Sequence, residues 1–348
     1  MAKIIPLSLQ IISNMILVTG GTGLVGSHLL YKLTSLGETP LALKRPSSDI
    51  SRTRKVFSYY SDNSDDLFNK IVWIDGDILD YSSILEAMEG VNKVYHTAAS
   101  VSFQSSDKQN LIATNITGTA NIVVAALEKN ISKLVHISTI GALGRAESSG
   151  VVTEETHWNS KKSSVYSTSK YNAEMEVWRG IAEGLNAVII NPSIILGPGE
   201  WNTGSSKLFS AMYSGLKFYS IGSNGFVDVE DVAESMIQLM NSDIAGERFI
   251  INSENISYKQ FFTWMANSLN VAPPKYKAGT FLSGIGWRLL WVKGLVTGKK
   301  STITRETAET ACQSYDYSNK KIKQELGIDF ISVKDSLDKN AKLFLRDL

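Results

Sequence analysis

The sequence contains very little of the residue chemistry that disulfides and metal centres require. Cys312 is the only cysteine among 348 residues, which excludes an intramolecular disulfide and argues against a cysteine-based metal site. The four histidines are scattered and form no His-x-x-x-His pair, so we expect no bound metal. A single cysteine is also typical of a reducing compartment, and we expect a cytoplasmic protein.

The sequence also lacks an excess of charge and a long apolar run. Its 35 basic and 34 acidic residues are interspersed and give a formal net charge of +1, so we expect no nucleic-acid partner. No run reaches the roughly 18 to 20 apolar residues that span a bilayer, and we expect no transmembrane segment. Residues 1–14 are apolar but interrupted by Pro6, Ser8 and Gln10, which predicts an N-terminal extension rather than a signal peptide. A flexible tail and a weak membrane-touching segment are both open for this extension.

Short apolar runs alternate with helical patterns through the first half of the chain. This alternation is typical of repeated β-α-β units on a parallel sheet, and it predicts a doubly wound α/β fold. The predicted strands are residues 15–20, 39–44, 70–77, 93–99, 133–139 and 186–193, and the predicted helices include 24–36, 82–88, 115–129 and 165–180.

A glycine-rich segment, TGGTGLVG, directly follows the first predicted strand. Gly21, Gly23 and Gly26 satisfy G-x-G-x-x-G, while Gly20 opens the looser G-x-x-G-x-x-G. Such glycines let the chain turn tightly, approach a pyrophosphate and pack the next helix on the sheet, whose free N–H groups then face the phosphates. We expect dinucleotide binding here, the alternative being a flexible loop. The candidate cofactor-binding residues are Gly20, Gly23, Leu24, Val25 and Gly26.

The end of the second predicted strand indicates which dinucleotide is bound. Lys44 and Arg45 stand there, and no acidic residue occurs before Asp49. A carboxylate at this place holds the ribose hydroxyls of NAD, whereas the 2′-phosphate of NADP needs positive charge. NADP(H) is therefore favoured. NAD(H) is the alternative, in which Lys44 and Arg45 are merely solvated charges at the end of a strand.

A carboxylate at the end of the third predicted strand is a candidate for the adenine end of the cofactor. Asp77 can accept from the adenine amino group while Ile78 covers the ring. Asp75 competes for this role. The structural alternative is that Asp77 is the N-cap of the next helix.

The pattern Tyr-x-x-x-Lys occurs three times, as Tyr166/Lys170, Tyr213/Lys217 and Tyr317/Lys321. A carbonyl that receives a hydride develops charge on its oxygen, so a proton donor must lie within hydrogen-bond reach. Tyrosine can serve if a cation one helical turn away lowers its pKa. The first pair alone follows a strand that ends in two hydroxyl residues, Ser138 and Thr139. We therefore select Tyr166 and Lys170, the alternative being two exposed residues at helical spacing.

In order and spacing these segments closely resemble the extended short-chain dehydrogenase/reductase family, also called the NAD-dependent epimerase/dehydratase superfamily. The matching pieces are TGGTGLVG, GDI, HTAA, NITGTAN, HIST, YSTSK and NPSIILGPG, within about residues 15–250. The segments LALKRPSS and PSIILGPG are most similar to the dihydroflavonol 4-reductase-like branch, whose members reduce ketones or aldehydes with NADPH. The resemblance implies a Rossmann-type fold and an NAD(P)-dependent oxidoreductase.

The resemblance also implies roles for individual residues. The implied catalytic residues are Thr139, Tyr166, Lys170 and Asn115. Asp77 and Ile78 would flank the adenine ring. The other implied cofactor-binding residues are Ala98, Ala99, Ser138, Tyr166, Lys170, Pro192 and Ser193.

Three residues depart from the commonest patterns of this family. Thr139 stands where serine is frequent, Asn191 where arginine is common, and Leu196 where many nucleotide-sugar epimerases carry tyrosine. The sequence favours an NADPH-dependent reductase of a small ketone or aldehyde, reversible as an alcohol dehydrogenase. The alternative is a nucleotide-sugar epimerase or dehydratase with tightly bound NAD. A hydroxysteroid dehydrogenase-like enzyme and a non-catalytic NADP sensor are minor alternatives.

The pattern loosens after Pro192, and we expect two domains. Residues 15–190 with about 225–252 would form the NADP-binding Rossmann domain, because strand and helix patterns resume at 226–240 and 246–253. Residues 191–224 and 253–348 would form a smaller, mainly helical substrate-binding domain. The apolar stretch 281–296 either belongs to a helix of that domain or touches a membrane. The family resemblance also suggests a homodimer through the helices at 115–129 and 165–180.

Overall fold

The computed structural model describes residues 15–102, 104–144, 150–159, 163–279 and 311–348. Residues 1–14 and the stretch 281–296 lie outside the described residues, so the expectations for them stay predictions. The first eight elements alternate as expected between strands and helices. They are β1 (Met15–Thr19), α1 (Leu24–Ser35), β2 (Leu41–Lys44), α2 (Ser51–Ser58), α3 (Ser64–Phe68), β3 (Val72–Asp75), α4 (Tyr81–Ala87) and β4 (Val91–His96).

The alternation continues through the middle of the chain and then becomes less regular. The middle elements are α5 (Lys108–Leu111), a π-helical turn (Ile112–Thr117), α6 (Gly118–Glu128), β5 (Lys133–Ile137), β6 (Val151–Val152), α7 (Val165–Ala182) and β7 (Ala187–Pro192). The later ones are β8 (Ile194–Leu196), α8 (Lys207–Tyr213), β9 (Phe218–Ser220), β10 (Ser223–Asp228), α9 (Val229–Met240), β11 (Glu247–Ile251) and β12 (Glu254–Ser257). The last are α10 (Tyr258–Ser268), β13 (Tyr276–Ala278), β14 (Asp316–Tyr317), α11 (Lys320–Leu326) and α12 (Val333–Arg346).

The main sheet has seven parallel strands in the order β3-β2-β1-β4-β5-β7-β11. The chain builds outward from β1 in one direction and from β4 in the other, so the strand order reverses between these two strands. In such folds a crevice opens at the carboxyl ends of the strands at this point, and ligands bind there. The predicted doubly wound, Rossmann-type fold is confirmed.

Helices cover both faces of the main sheet. Because successive strand residues point to opposite sides, one strand contributes to the cores on both faces. Ile16 and Val18 of β1 pack in one core with α1 and α9, while Leu17 packs in a second core with α4, α6 and α7. Strands buried on both faces read as continuous apolar runs. This is why the sequence predicted these strands from short apolar segments.

A second layer of structure departs from the main sheet after β7. Strand β10 pairs in parallel with β8 and antiparallel with β12, in a separate three-stranded sheet. The sequence suggested a return of the chain at 226–240, but strand β10 stays outside the main sheet and the return comes at β11. Aromatic residues fill the core between this small sheet and helices α8, α10 and α12, among them Trp201, Phe209, Phe226, Phe261 and Phe344. The division into two domains at the expected bounds stays a prediction.

One helical stretch of the described residues, Lys108–Glu128, is long and apolar enough to span a membrane by length and composition. The sequence had predicted no such segment. This stretch is formed by α5, the π-helical turn and α6, and Ile122, Val123 and Ala126 of α6 are buried against the sheet. A core helix passes the same test, so this finding is weak evidence for a membrane.

Candidate active site

The glycine-rich loop between β1 and α1 forms a cradle that leaves no room for side chains. Gly20 has φ +74°, and a Cβ there would lie 2.5 Å from the backbone nitrogen of Ala98. A Cβ on Gly26 would lie 2.2 Å from the carbonyl oxygen of Gly20. Gly23 precedes α1 and offers its first turn no side-chain cap, so those N–H groups remain available to a phosphate. The loop therefore fits a dinucleotide pyrophosphate.

The two cations expected at the 2′-phosphate lie in different surroundings. Lys44, at the end of β2, donates to Asp75 at the end of the neighbouring strand β3. Asp75 was the competing candidate for the adenine ring, and here it pairs with Lys44 instead. Arg45 is exposed beyond the end of β2. Part of the positive charge at this edge of the sheet is thus offset by a carboxylate.

Asp77 and Ile78, which are expected to flank the adenine ring, lie just after the end of β3. The Asp77 carboxylate accepts from the backbone N–H of Leu79 at 3.0 Å, while Asp80 provides the N-cap of α4 by accepting from Ser82. The structural alternative for Asp77, a helix cap, is therefore wrong. Ile78 is buried and packs so closely on α6 that a Cβ on Gly118 would meet it at 2.5 Å.

Thr139, Tyr166 and Lys170 come together at the carboxyl end of β5. Ser164 caps α7 by accepting from Ser167, which fixes Tyr166 in the first turn of the helix. The side chains of Thr139 and Tyr166 lie within interaction distance of each other. Lys170, one turn further, is 2% exposed and donates to the carbonyl of Ile137 at 2.8 Å.

Burial controls the protonation of the tyrosine and the lysine. It raises the pKa of Tyr166 to about 12, although the hydrogen bond with Thr139 acts in the opposite direction. Burial lowers the pKa of Lys170 to about 8, and the charge of Glu174 acts against that shift. We expected Lys170 to lower the pKa of Tyr166, whereas burial raises it. At neutral pH the tyrosine is protonated and the lysine carries its charge.

The two other Tyr-x-x-x-Lys pairs have no comparable setting. Tyr213 is the last residue of α8, so Lys217 lies beyond that helix. Tyr317 belongs to strand β14, and Lys321 of α11 donates to Glu247 at 2.6 Å. The pattern predicts that the tyrosine and the lysine share one face of a helix. Neither of these two pairs does so.

Asn115, predicted as catalytic, acts on the backbone around the site. It lies in the π-helical turn, a distortion often found at functional sites. Its Oδ1 accepts from the Ser100 backbone at 2.7 Å, and its Nδ2 donates to the Ser100 carbonyl and to the Ser169 hydroxyl. Ser169 in turn donates to the carbonyl of Tyr166 at 2.8 Å. Both N–H bonds of the amide are thus committed, and Asn115 positions α7 against the loop after β4.

The other residues expected to bind the cofactor lie at the ends of β4, β5 and β7. Ala98 and Ala99 follow β4, and Pro192 ends β7. Ser138 and Ser193 are each 5% exposed, and neither hydroxyl has a hydrogen-bond partner among the described residues. A buried hydroxyl without a partner costs free energy, so these two groups fit the polar part of a bound ligand.

Three polar residues that form a hydrogen-bonded network next to the candidate site were not predicted from the sequence. Glu174 of α7 is fully buried and forms an ion pair with Arg248 of β11 at 3.0 Å. Asn191 of β7 donates to Glu174 at 2.8 Å and to the carbonyl of Thr139 at 3.1 Å. The spacing Lys170 to Glu174 repeats one helical turn and was a usable signal, whereas nothing near Arg248 in the sequence points to the site.

A cavity of about 420 Å³ lies on the far side of α7 from Tyr166. Arg248 forms part of its wall together with Glu154, Trp158 and Tyr171. The rings of Trp158 and Tyr171 stack there with 4.3 Å between their centroids. This cavity does not include Thr139 or Tyr166, so it is separate from the catalytic crevice.

Comparison with known proteins gives one family and several relatives. The family model described as the NAD dependent epimerase/dehydratase family matches residues 16–252. Sterol demethylase protein B of Methylococcus capsulatus is 30% identical over 72% of this chain and 73% of its own. A dihydroflavonol 4-reductase of Gerbera hybrida is 27% identical over 77% of this chain and 75% of its own.

Two solved structures share the fold over nearly the whole chain. The crystal structure of gox2253 superposes with a TM-score of 0.80 at 28% identity, covering 96% of this chain and 98% of its own. UDP-glucose 4-epimerase of Thermotoga maritima superposes with a TM-score of 0.75 at 19% identity, covering 96% and 99%. At that identity the epimerase supports the fold alone.

Proposed function

The chain belongs to the NAD-dependent epimerase/dehydratase family, and from this premise we propose that it is an NADPH-dependent reductase of a small-molecule ketone or aldehyde. In the reverse direction it would be an alcohol dehydrogenase. The observation that carries the proposal is the approach of the Thr139 side chain to Tyr166, one helical turn from the buried Lys170. These residues lie at the carboxyl edge of the sheet, near the buried hydroxyls of Ser138 and Ser193, which have no hydrogen-bond partner in the described part of the chain.

Each of the three residues has a defined task in this proposal. The bound dinucleotide would supply the hydride. Tyr166, protonated because its pKa is about 12, gives its proton to the substrate oxygen, and the Thr139 hydroxyl orients that oxygen. Lys170 stabilises the negative charge left on Tyr166. Asn115 holds α7 in place through Ser169.

The choice of NADPH rests on the positive charge at the end of β2. Arg45 is exposed there and can reach a 2′-phosphate, while Lys44 forms an ion pair with Asp75. A charge-assisted hydrogen bond to phosphate is typically worth about 1.5–3 kcal/mol. We expect Arg45→Ala to weaken NADPH binding by about 10-fold or more and to leave NADH binding unchanged. The matched control is Arg52→Ala, because Arg52 is also exposed but pairs with Asp49.

The reductase is favoured over the epimerase by the names of the relatives and by the small number of basic side chains in residues 191–224, a described part of the chain, for a substrate diphosphate. The relative with the dihydroflavonol 4-reductase name matches 77% of this chain, whereas the epimerase likeness supports only the fold. The two basic side chains of this segment are Lys207, the first residue of α8, and Lys217, which is exposed beyond the end of that helix. The name of the sterol relative keeps apolar ketones among the candidate substrates.

The test is NADPH oxidation with a panel of carbonyl compounds that includes flavonoid and steroid ketones. Tyr166→Phe removes the proton donor, and we expect a loss of about 10²- to 10⁴-fold in kcat/KM. Tyr213→Phe makes the same substitution in a Tyr-x-x-x-Lys pair that lies outside the candidate active site, and it should leave activity unchanged. If no compound is reduced, or if Tyr166→Phe is as active as Tyr213→Phe, the proposed function is wrong.

A further inference from the structure

A carboxylate lies one helical turn beyond the lysine of the proposed active site. Glu174 follows Lys170 by four residues on α7, and residues at this spacing are neighbours on a helix face. Glu174 is 0% exposed and Lys170 is 2% exposed, so neither charge is screened by solvent. At a given separation, two buried charges interact more strongly than two charges on the surface.

Three side chains donate hydrogen bonds to the Glu174 carboxylate. The Arg248 guanidinium binds Oε1 at 3.0 Å, Trp178 donates to the same oxygen at 3.3 Å, and Asn191 donates to Oε2 at 2.8 Å. Arg248 is fixed in turn by its Nε, which donates to the carbonyl of Glu154 at 2.9 Å. The ion pair with Arg248 and the two further donors compensate the buried carboxylate.

The other groups around Lys170 add little charge. Tyr166 on the same helix is protonated at neutral pH because its pKa is raised. His96 of β4 and His136 of β5 are fully buried, and burial together with the charge of Lys170 keeps both pKa values far below 6.5. The two rings are therefore neutral, and Glu174 opposes the effect of burial on the Lys170 pKa.

The same carboxylate is connected to the other catalytic residue. Asn191 donates to Glu174 and also to the backbone carbonyl of Thr139 at 3.1 Å. The Asn191 side chain on β7 thus links Thr139, which follows β5, to a buried residue of α7. The network formed by Glu174, Arg248 and Asn191 thus contacts Thr139, which follows β5, and includes a residue of α7, the helix of Tyr166 and Lys170.

We infer that Glu174 is a positioning residue that keeps Lys170 protonated, and that Arg248 sets how strongly it does so. This inference deepens the proposed function and rests on it for the role of Lys170. Glu174 supplies the negative field at the ammonium group, and Arg248 offsets part of that field. The two residues should therefore shift the Lys170 pKa in opposite directions.

The test measures that pKa directly, by NMR titration of protein labelled with ¹³C at the lysine Cε, with Lys170→Arg used to assign the resonance. Glu174→Gln keeps the shape of the side chain and removes its charge, so the Lys170 pKa should fall by about one unit. Arg248→Met removes the offsetting cation, so the pKa should rise. Glu176→Gln removes a carboxylate from the surface of the same helix, where it pairs with Arg179, and should cause no shift.

Several outcomes overturn the inference. Shifts of the same sign in Glu174→Gln and Arg248→Met, or no shift in Glu174→Gln, would show that the network is only structural. If Arg248→Met fails to fold, Glu174→Gln against Glu176→Gln decides alone. Arg248→Lys, which keeps a cation, should leave the Lys170 pKa close to its wild-type value, and a rise as large as that in Arg248→Met would contradict the inference.

The titration needs no turnover, so it separates this inference from the proposed function. If no carbonyl compound is reduced but the Lys170 pKa shifts as expected, the inference about Glu174 stands and the reductase proposal fails. If carbonyl reduction is found, the alkaline limb of its pH profile should move to lower pH in Glu174→Gln, because Lys170 then loses its proton earlier. An unmoved limb would contradict the inference.

Discussion

Gly26→Ala is a substitution in which helix propensity and steric contact make opposite predictions. Gly26 lies in α1, where alanine usually stabilises a helix by about 1 kcal/mol relative to glycine. Here the added Cβ would lie 2.2 Å from the Gly20 carbonyl oxygen and 2.8 Å from the Thr97 hydroxyl. The first contact is with backbone, so the loop must move by about 1 Å, and overpacking of this kind costs about 1–3 kcal/mol.

We therefore expect Gly26→Ala to lose about 1–2 kcal/mol of unfolding free energy and at least 10-fold in NADPH affinity. Urea denaturation measures the first quantity, and quenching or enhancement of NADPH fluorescence measures the second. Gly23→Ala is the graded control, because its Cβ would lie 3.3 Å from the same oxygen and needs only a small adjustment. Wild-type NADPH affinity in Gly26→Ala would refute the assignment of this loop to the cofactor.

Three further predictions concern the active site and the C-terminal helix. Thr139→Val should reduce kcat/KM by about 100-fold, because it removes the hydroxyl that orients the substrate oxygen, whereas Thr139→Ser should stay within about 10-fold of wild type; equal activity in both variants would contradict this role. The pKa of Lys170, about 8 when folded and 10.5 unfolded, means that the unfolded chain binds more protons between these pH values. Lys170→Met should therefore be more stable than wild type at pH 7 by up to about 3 kcal/mol, and urea denaturation should show this difference shrinking from pH 8 to 10.5. Asp347 accepts from Tyr59, from Trp201 at 2.7 Å and from Lys55 at 2.9 Å. Asp347→Ala should therefore cost about 2 kcal/mol in urea denaturation and Asp347→Asn, which keeps an oxygen acceptor, less than half of that; equal costs would contradict this, because they would show that a neutral acceptor cannot replace the carboxylate.

The parts of the site that the sequence predicted are those in which local pattern and chemistry coincide. A tight turn between β1 and α1 needs glycine whatever surrounds it, so Gly20 and Gly26 can be recognised without a structure. Tyr166 and Lys170 share one helix, and Thr139 ends a strand whose apolar run is unmistakable. Parallel strands then bring these ends to one edge of the sheet.

The parts that the sequence could not predict depend on which strands become neighbours. Arg248 reaches Glu174 because β11 pairs with β7, although 74 residues separate them in the chain. Strand β10 has the apolar pattern of a sheet strand, but that pattern cannot state which sheet it joins. The pairing of Lys44 with Asp75 likewise follows from the alignment of β2 with β3.

Transfer of deuterium tests the central claim most directly. The protein would be incubated with NADPH deuterated at the transferable position and with the carbonyl panel, and the products analysed by mass spectrometry. We expect one deuterium in each alcohol formed, in proportion to the NADPH oxidised, and none with Tyr166→Phe. Unlabelled products without net NADPH oxidation, together with NAD that remains bound through purification, would contradict the proposed reduction and support an epimerase or dehydratase instead.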